Sequence, residues 1–229
     1  MKNISVIGFD ADDTLWENEM LFRNTEEAFF RLLEGYEVKH RLSQELFKAE
    51  IANLSTYGYG IKGFMLSMIE TALKIIDHRI EAQRITQIIE LGRKMLAAPV
   101  EIIKSVPETL ACLKEKYRLI LVTKGDLMEQ QRKLKISNLE GYFHHIEILS
   151  DKTPAQYRRL LAHLDIKPQN FAMVGNSLKS DVLPPIELGC KGIHIPFHTT
   201  WSHEQVTEEA KQNSEYLELD TISELLNYF

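Results

Sequence analysis

The segment Phe9-Asp10-Ala11-Asp12-Asp13-Thr14-Leu15 decides how this chain is interpreted. It follows an apolar run, residues 4–9, that predicts a buried strand. Three carboxylates and a hydroxyl group therefore lie where a strand has just ended. Side chains alternate along an extended chain, so Asp10 and Asp12 lie on one side. Two such carboxylates repel each other unless a cation lies between them, and hard divalent cations prefer oxygen ligands. A solvated acidic turn without function is the alternative.

The composition is that of an ordinary globular protein, with 229 residues, 44% hydrophobic and 26% charged, and a formal net charge of −6. No evident basic face is available for phosphates, which argues against a nucleic-acid partner. We find no signal-like segment and no apolar run of membrane-spanning length, so we expect a cytoplasmic protein without a membrane partner. Cys112 and Cys190 have no metal-binding spacing, and we expect buried, unreactive thiols in a reducing compartment.

Residues 18–99 show helical periodicity and contain no convincing strand. We therefore predict a helical-bundle cap domain of residues 18–99, inserted after the first strand. The predicted helices begin at Asn24 or Thr25, at Ser43, near residue 61 and near residue 80, and the first of them ends near Gly35.

From Val106 onward, helices alternate with short apolar strands. This alternation is typical of a mostly parallel sheet covered on both faces. The first strand belongs to the same sheet, so we predict a discontinuous α/β core domain of residues 1–17 and 100–229 with a doubly wound, Rossmann-like sheet. The expected later strands are 118–122, 146–149, 171–174, 192–195 and an edge strand at 216–219, and the expected helices are 107–115, 127–136, 154–164, 181–188 and one from Ile222.

Polar residues follow each apolar strand of the predicted core. Ligands of open parallel sheets bind at the carboxyl ends of the strands, so these residues are the candidates for a site. Each one alone is a weak signal, because a threonine often caps a helix and a lysine is usually on the surface. Together they indicate a functional rim. The candidates are Asp10 and Asp12, then Thr123, Lys124, Gly125 and Asp126, then Ser150, Asp151 and Lys152, and finally Gly175, Asn176, Ser177 and Asp181.

These residue types fit phosphoryl transfer through a carboxylate nucleophile. Asp10 can attack phosphorus and carry the phosphoryl group as an aspartyl phosphate. Asp12 can protonate the leaving alcohol and later accept a proton from the attacking water. Lys152 and the hydroxyl of Thr123 can hold the equatorial oxygens while charge redistributes.

The same chemistry calls for Mg²⁺. A magnesium ion between Asp10 and the phosphate would stop the nucleophile and the substrate from repelling each other. Asn176 and Asp181 would complete this metal site, one as a direct ligand and the other in support of it.

Four segments of the chain resemble the four motifs of the haloacid dehalogenase-like hydrolase superfamily and occur in the same order as those motifs. The resemblance covers residues 1–17 and 104–198, and the position of the insert resembles the members with a helical cap. It implies that Asp10 is the nucleophile and Asp12 the acid/base. It also implies that the metal is held by the Asp10 carboxylate, the Asp12 backbone carbonyl and an acid of the fourth motif. The segments are Asp10-Ala11-Asp12-Asp13-Thr14, Val122-Thr123-Lys124-Gly125, Lys152, and Gly175-Asn176-Ser177-Leu178-Lys179-Ser180-Asp181.

Two positions depart from the family's motifs. The fourth motif usually reads Gly-Asp, but here it reads Gly175-Asn176. We hypothesise that Asn176 ligates Mg²⁺ through its neutral side-chain oxygen, with Asp181 in support, so that the metal is held more weakly. The second motif usually has Asn after Thr. Here Lys124 stands instead, either as a substrate-binding cation that faces the phosphate or as a surface lysine.

Asp12 separates two activities within the family. The resemblance implies that carbon–halogen hydrolysis needs the nucleophile alone, without a metal and without an acid at this position. Asp12 therefore favours a magnesium-dependent phosphatase that acts on a small phosphorylated metabolite. A 2-haloacid dehalogenase and a phosphomutase are alternatives among enzymes, and Asn176 keeps open a phosphate-ligand-binding protein with little turnover. The sequence names neither the substrate nor the oligomeric state.

The segment Gly58-Tyr59-Gly60-Ile61-Lys62-Gly63 matches the pattern of dinucleotide-binding loops, G-x-G-x-x-G. A dinucleotide site would need a preceding strand, and here an amphipathic helix precedes the segment. We expect a turn between two cap helices. A cap loop that closes over the core rim would make Tyr57, Tyr59 and Lys62 substrate-binding residues. Packing between helices is the alternative for the two tyrosines.

A loop that contains His198, Trp201 and His203 follows the last core strand. A proline intervenes between the histidines, and no carboxylate accompanies them before Glu204. We therefore expect loop histidines near the rim rather than a metal site.

Overall fold

The structure, a computed structural model, describes residues 3–77, 79–212 and 214–229. The chain divides into two compact units, of which one ends its first segment at Glu19 and resumes at Val100. The other unit runs from Met20 to Pro99. We refer to them as the core unit and the helical unit.

The helical unit is built around an apolar cluster that includes Phe29, Leu33, Leu46, Met68 and Ile88. These side chains recur at helical spacing, which gives each helix one apolar face to bury. The helices are α1 (Glu19–Leu32), α2 (Lys39–Tyr57), α3 (Ile61–Ile75) and α4 (Ala82–Ala97).

The core unit contains a six-stranded sheet in the order β3-β2-β1-β4-β5-β6, and its strand pairings are all parallel. The strand β1 therefore lies in the middle, although the helical unit separates it in sequence from the others. The strands are β1 (Val6–Phe9), β2 (Arg118–Lys124), β3 (His145–Leu149), β4 (Phe171–Gly175), β5 (Lys191–His194) and β6 (Leu217–Glu218).

Helices cover both faces of this sheet. Side chains alternate between the two faces along each strand. Phe9 and Val174 pack with helices on one face of the sheet. Ile120 and Met173 pack with Tyr157 on the other face. This arrangement confirms the predicted α/β fold, because buried parallel strands need apolar side chains on both faces. The helices are α5 (Val106–Lys114), α6 (Leu127–Ser137), α7 (Pro154–His163), α8 (Leu183–Ile186) and α9 (Glu208–Gln212).

Several predicted element ends were wrong. The helix α1 begins at Glu19 rather than at Asn24 or Thr25. The side chain of Asp13 accepts hydrogen bonds from the backbone N–H of Asn18 over 2.8 Å and from that of Glu19, the first residue of α1, over 3.1 Å. Asp13 lies in the acidic loop and outside the helical periodicity, so the sequence pattern does not reveal this cap. The predicted start of α2 at Ser43 was also wrong, since the helix begins at Lys39, after Val38, which makes no side-chain cap hydrogen bond.

The segment predicted as one helix from residue 181 to 188 is instead a π-helical turn, Leu178–Val182, followed by the short helix α8. Pro184 and Pro185 occupy the start of α8, where proline is tolerated. The last helix is a 3₁₀ helix, Ile222–Asn227. Both cysteines are free, and Cys190 is buried as expected. Cys112 is exposed, so the expectation of a buried thiol was wrong there.

Among the described residues, no helix combines the length and the apolar character that crossing a bilayer requires.

Candidate active site

The carboxyl ends of β1, β2 and β4 lie side by side at one edge of the sheet, because β1 pairs in parallel with both neighbours. Just beyond β1, the backbone N–H of Asp10 donates to the carbonyl oxygen of Val174 over 2.9 Å. Thr123 lies near the end of β2, and Asn176 directly follows β4. Parallel pairing thus brings three of the predicted segments to one rim.

A buried charge network joins Asp10, Lys152 and Asp181. The ammonium group of Lys152 donates to Asp10 Oδ1 and, over 2.6 Å, to Asp181 Oδ1. The three residues are 6%, 3% and 1% exposed, respectively. Burial of unpaired charges would be costly, and here one cation is shared by two carboxylates. Lys152 is therefore fixed against the predicted nucleophile.

The electrostatics of this network follow from burial and from the shared cation. Burial, together with the negative charge of Asp181, raises the pKa of Asp10 to about 7, although Lys152 acts in the opposite direction. Burial alone would lower the pKa of Lys152, but the two carboxylates raise it above the ordinary value of a lysine. Lys152 is thus a permanent cation at this site.

Oxygen atoms converge around the side chain of Asn176. The amide atom that faces the rim lies 3.2 Å from the carbonyl oxygen of Asp12 and 3.3 Å from both Asp10 Oδ2 and Thr14 Oγ1. With the amide nitrogen in this place, Asn176 donates to these groups. With the amide oxygen in this place, it faces Asp10 Oδ2 and the carbonyl oxygen of Asp12, and all three atoms are acceptors.

This donor set fits Mg²⁺. Oxygen ligands at 2.0–2.1 Å in an octahedron lie about 3 Å apart, close to the separations just given. A cation would also relieve the repulsion among the three oxygens. Within the described part of the chain, no cluster of three or more His, Cys, Asp or Glu side chains offers a metal site. A magnesium site here would therefore need amide and backbone oxygens in addition to carboxylates.

The carboxylate of Asp181 is held by partners within the core unit. Its Oδ1 pairs with Lys152, and its Oδ2 accepts a hydrogen bond from the backbone N–H of Ser177 over 3.0 Å. Both oxygens are thus engaged within the protein. The hydroxyl of Tyr157 donates to the carbonyl oxygen of Ser180 and fixes the same turn.

The side chain of Asp12 points into a set of donors that the sequence interpretation missed. Trp16 Nε1 and Lys133 Nζ each lie 2.6 Å from Asp12 Oδ1, and Gln130 Nε2 lies 3.0 Å from Asp12 Oδ2. Gln130 also donates to Thr123 Oγ1 over 2.9 Å. One helix, α6, thereby connects Asp12 with the second motif.

Only the structure reveals the burial that singles out these residues. Glu129, Gln130 and Lys133 lie on one face of α6, and all three are buried. A buried polar face on a helix that begins just after a strand end is a site candidate, since burying such groups is costly without partners. Glu204 was also missed, and no local pattern pointed to it.

Lys124, a predicted substrate-binding residue, pairs with Glu204. Its ammonium group lies 2.5 Å from Glu204 Oε1 and 2.9 Å from Ser180 Oγ. Burial opposes ionisation of Glu204, but Lys124 and hydrogen bonds from Ser177 and Ser180 lower its pKa to about 2. A phosphate would compete with this carboxylate for Lys124. The phosphate-binding role of Lys124 stays a prediction.

The remaining candidates lie in the helical unit. The hydroxyl of Tyr57 donates to Glu70 Oε1 over 2.9 Å. Tyr59 lies in the turn between α2 and α3, where it is half-buried, and Lys62 is exposed in the first turn of α3. The segment Gly58–Gly63 thus follows a helix and not a strand, so the expected turn between two helices is confirmed. The substrate-binding role of the three residues stays a prediction.

The loop after β5 packs on the turn that carries Asp181. Lys179 Nζ donates to the carbonyl oxygen of His203 over 2.7 Å, and the rings of Trp201 and His203 lie 4.9 Å apart. His198 is exposed and contacts Thr199.

Comparisons with known proteins bear on the family of this chain. The model of the haloacid dehalogenase-like hydrolase family matches residues 4–189. A haloacid dehalogenase-like family hydrolase from Xanthomonas campestris is 38% identical, with a TM-score of 0.88, covering 99% of this chain and 90% of that chain. A glyceraldehyde 3-phosphate phosphatase from Pyrococcus furiosus is 24% identical, covering 99% of this chain and 94% of that protein.

A 2-haloacid dehalogenase from Pseudomonas syringae shares the fold, with 17% identity and a TM-score of 0.63, covering 98% of this chain and 97% of that chain. The family model spans most of the chain and includes the segments that carry Asp10, Thr123, Lys152 and Asn176. The chain therefore belongs to the haloacid dehalogenase-like hydrolase family.

Proposed function

We propose that this protein is a magnesium-dependent phosphatase that hydrolyses a small-metabolite phosphomonoester through an aspartyl-phosphate intermediate. The observation that carries the proposal is a second carboxylate, Asp12, held by three donors next to the nucleophile Asp10. An alkoxide leaving group needs a proton, whereas a halide does not. A fixed acid beside the nucleophile therefore suits phosphate esters better than carbon–halogen bonds.

Four residues of the core unit have separate roles in the proposed reaction. Asp10 attacks phosphorus, and Asp12 gives a proton to the departing oxygen and takes one from the attacking water. Lys152 and Thr123 hold the equatorial oxygens of the phosphoryl group. Lys152 should bind these oxygens more strongly than Thr123, because its ammonium group stays charged and is fixed by two carboxylates.

Mg²⁺ would be held by the Asp10 carboxylate, the Asp12 backbone carbonyl and the Asn176 side-chain oxygen. When bound, it would neutralise the charge between nucleophile and phosphate. Asp181 supports the site rather than ligating the metal, since both of its oxygens are already engaged. Because Asn176 is neutral, this set carries less negative charge than a set with Asp in its place, and the metal should bind more weakly.

The phosphatase name of the Pyrococcus furiosus relative supports a phosphorylated small-molecule substrate. Residues 18–99 are proposed to act as the cap domain that selects it, with Tyr57, Tyr59 and Lys62 as candidate substrate contacts and residues 1–17 and 100–229 as the catalytic domain. The cytoplasmic location and the absence of nucleic-acid and membrane partners stay predictions.

A second candidate function is a phosphate-ligand-binding protein with little turnover. The observation in its favour is the neutral Asn176 at the metal site. It would bind a phosphate ester through Lys152 without hydrolysing it.

The test is phosphate release from an aryl phosphate, measured with Mg²⁺ and with a chelator. The native chain, Asp10→Asn and the control Asp220→Asn, an exposed carboxylate, are compared. We expect activity that requires Mg²⁺ and Asp10 and that survives in Asp220→Asn. Ester binding without phosphate release would support the second candidate. Metal-independent halide release from a 2-haloacid would overturn the proposal in favour of a dehalogenase.

A further inference from the structure

The carboxylate of Asp12 is held unequally at its two oxygens. Oδ1 accepts two hydrogen bonds, from Lys133 Nζ and Trp16 Nε1, both at 2.6 Å. Oδ2 accepts one, from Gln130 Nε2 at 3.0 Å. A carboxylate oxygen has two lone pairs in the carboxylate plane, so Oδ1 is saturated while Oδ2 keeps one acceptor position.

The donors to Oδ1 are themselves fixed. Trp16 is fully buried, and Lys133 is 6% exposed. Lys133 is further held by Asn18 Oδ1 at 3.1 Å and by the carboxylate of Glu129 at 3.7 Å. An ammonium group in such a place is stable only with partners, so its position is set by the fold and not by solvent.

We infer that Lys133 and Trp16 are positioning residues that reserve Oδ2 of Asp12 as the proton-transferring oxygen. This inference rests on the proposed phosphatase function. It deepens that function by assigning the acid/base role to one atom and its orientation to two residues outside the four motifs.

The assignment fixes the course of both half-reactions. As an oxygen of Asp10 bonds to phosphorus, the bond from phosphorus to the leaving oxygen breaks with its electron pair on that oxygen. The proton on Asp12 Oδ2 moves to this oxygen, and the alcohol departs. Water then bonds to phosphorus and gives a proton to Oδ2, while the phosphorus–Asp10 bond breaks and its electron pair returns to the carboxylate.

The dependence on the leaving group distinguishes positioning from mere structural support. An alkoxide is a poor leaving group and needs the proton, whereas an activated aryl oxide leaves without much help. A misplaced Asp12 should therefore slow alkyl phosphates much more than aryl phosphates. A variant that only loosens the fold would slow both alike.

The experiment compares kcat/KM for an alkyl phosphate and for p-nitrophenyl phosphate with the full chain in saturating Mg²⁺. Lys133→Met and Trp16→Phe remove one donor each, and Lys135→Met alters an exposed lysine of the same helix as a control. We expect the alkyl-to-aryl ratio to fall about 10- to 100-fold in both test variants and to stay unchanged in Lys135→Met. Lys133→Met added to Asp12→Asn should cause no further fall in the ratio.

Urea denaturation shows whether each variant is folded. If Lys133→Met does not fold, Trp16→Phe, which keeps an aromatic ring, decides the question. An unchanged ratio, or equal losses on both esters in a folded variant, would overturn the positioning role while leaving the phosphatase proposal intact. Native protein without Asp10-dependent hydrolysis of either ester would overturn the proposed function, and this inference with it.

Discussion

The ammonium group of Lys152 lies 2.6 Å from Oδ1 of Asp181, in an ion pair that solvent barely reaches. Lys152 follows β3 and Asp181 lies in the turn after β4, so the pair ties two strand ends together. The same ammonium group also reaches Asp10. Asp181 is thus linked to the proposed nucleophile, Asp10, through Lys152, and this relationship makes the stability of the core unit depend on residues of the candidate site.

Lys152→Met should remove hydrolysis and destabilise the protein. Asp10 and Asp181 would be left as buried carboxylates without their shared cation, a change that typically costs about 3–5 kcal/mol. Urea denaturation at pH 7 measures this loss. The deficit should shrink as the pH falls toward 5, because the unpaired carboxylates then take up protons more readily in the folded state. Lys167→Met, at an exposed lysine, should change stability by no more than about 0.5 kcal/mol. A stable Lys152→Met variant with native turnover would contradict the role of Lys152.

Asn176→Asp should lower the Mg²⁺ concentration that gives half-maximal activity. It adds a negative charge to a site where the Asn176 amide meets Asp10 Oδ2 and the Asp12 carbonyl oxygen, and more ligand charge binds the cation more tightly. Asn176→Ala, which removes the oxygen, should raise the same concentration. Phosphate release across a magnesium titration measures both. An identical magnesium requirement in the native chain and in Asn176→Asp would show that Asn176 is not a ligand.

Glu204→Gln should lower the free energy of unfolding by an amount that depends on pH. The folded state lowers the pKa of Glu204 to about 2, so the ionised form contributes stability above the unfolded pKa, and this contribution is lost as the pH falls toward 2. The loss at pH 7 should reach about 3 kcal/mol at most. Urea midpoints at pH 7, 4 and 3 measure it, and the native and variant curves should converge at low pH. Glu208→Gln, at an exposed glutamate, should differ little from the native chain at any of these pH values. If the urea midpoints of the native chain and of Glu204→Gln differed by the same amount at all three pH values, the lowered pKa of Glu204 would be contradicted.

Gly175→Ala should disturb the site although Gly175 carries no functional group. A Cβ at this position would overlap the carboxylate of Asp181. Asp181 would have to move away from Lys152, and we expect a loss of about 1–3 kcal/mol in unfolding free energy together with reduced turnover. Gly141→Ala is the matched control, since a Cβ there meets no atom within 4 Å. Equal effects of the two substitutions would argue against a close-packed role for Gly175.

The sequence alone determined the fold class and most of the strands. Apolar runs followed by polar residues, and their alternation with helices, are local properties, and they predicted the parallel sheet and the rim that carries Asp10, Thr123 and Asn176. Local patterns also misplaced the start of α1, because the cap comes from Asp13, which lies in the acidic loop rather than next to the helical periodicity.

Only the tertiary structure decided which donors hold which oxygens. Lys133 meets Asp12 across 121 residues of sequence, and Glu204 meets Lys124 across 80. No local periodicity encodes such pairs, since they arise when the sheet closes and buried charges must find partners. The candidate reacting groups could therefore be predicted from the residues that follow the strands. Their orientation, on which the inferred role of Asp12 Oδ2 depends, came from packing.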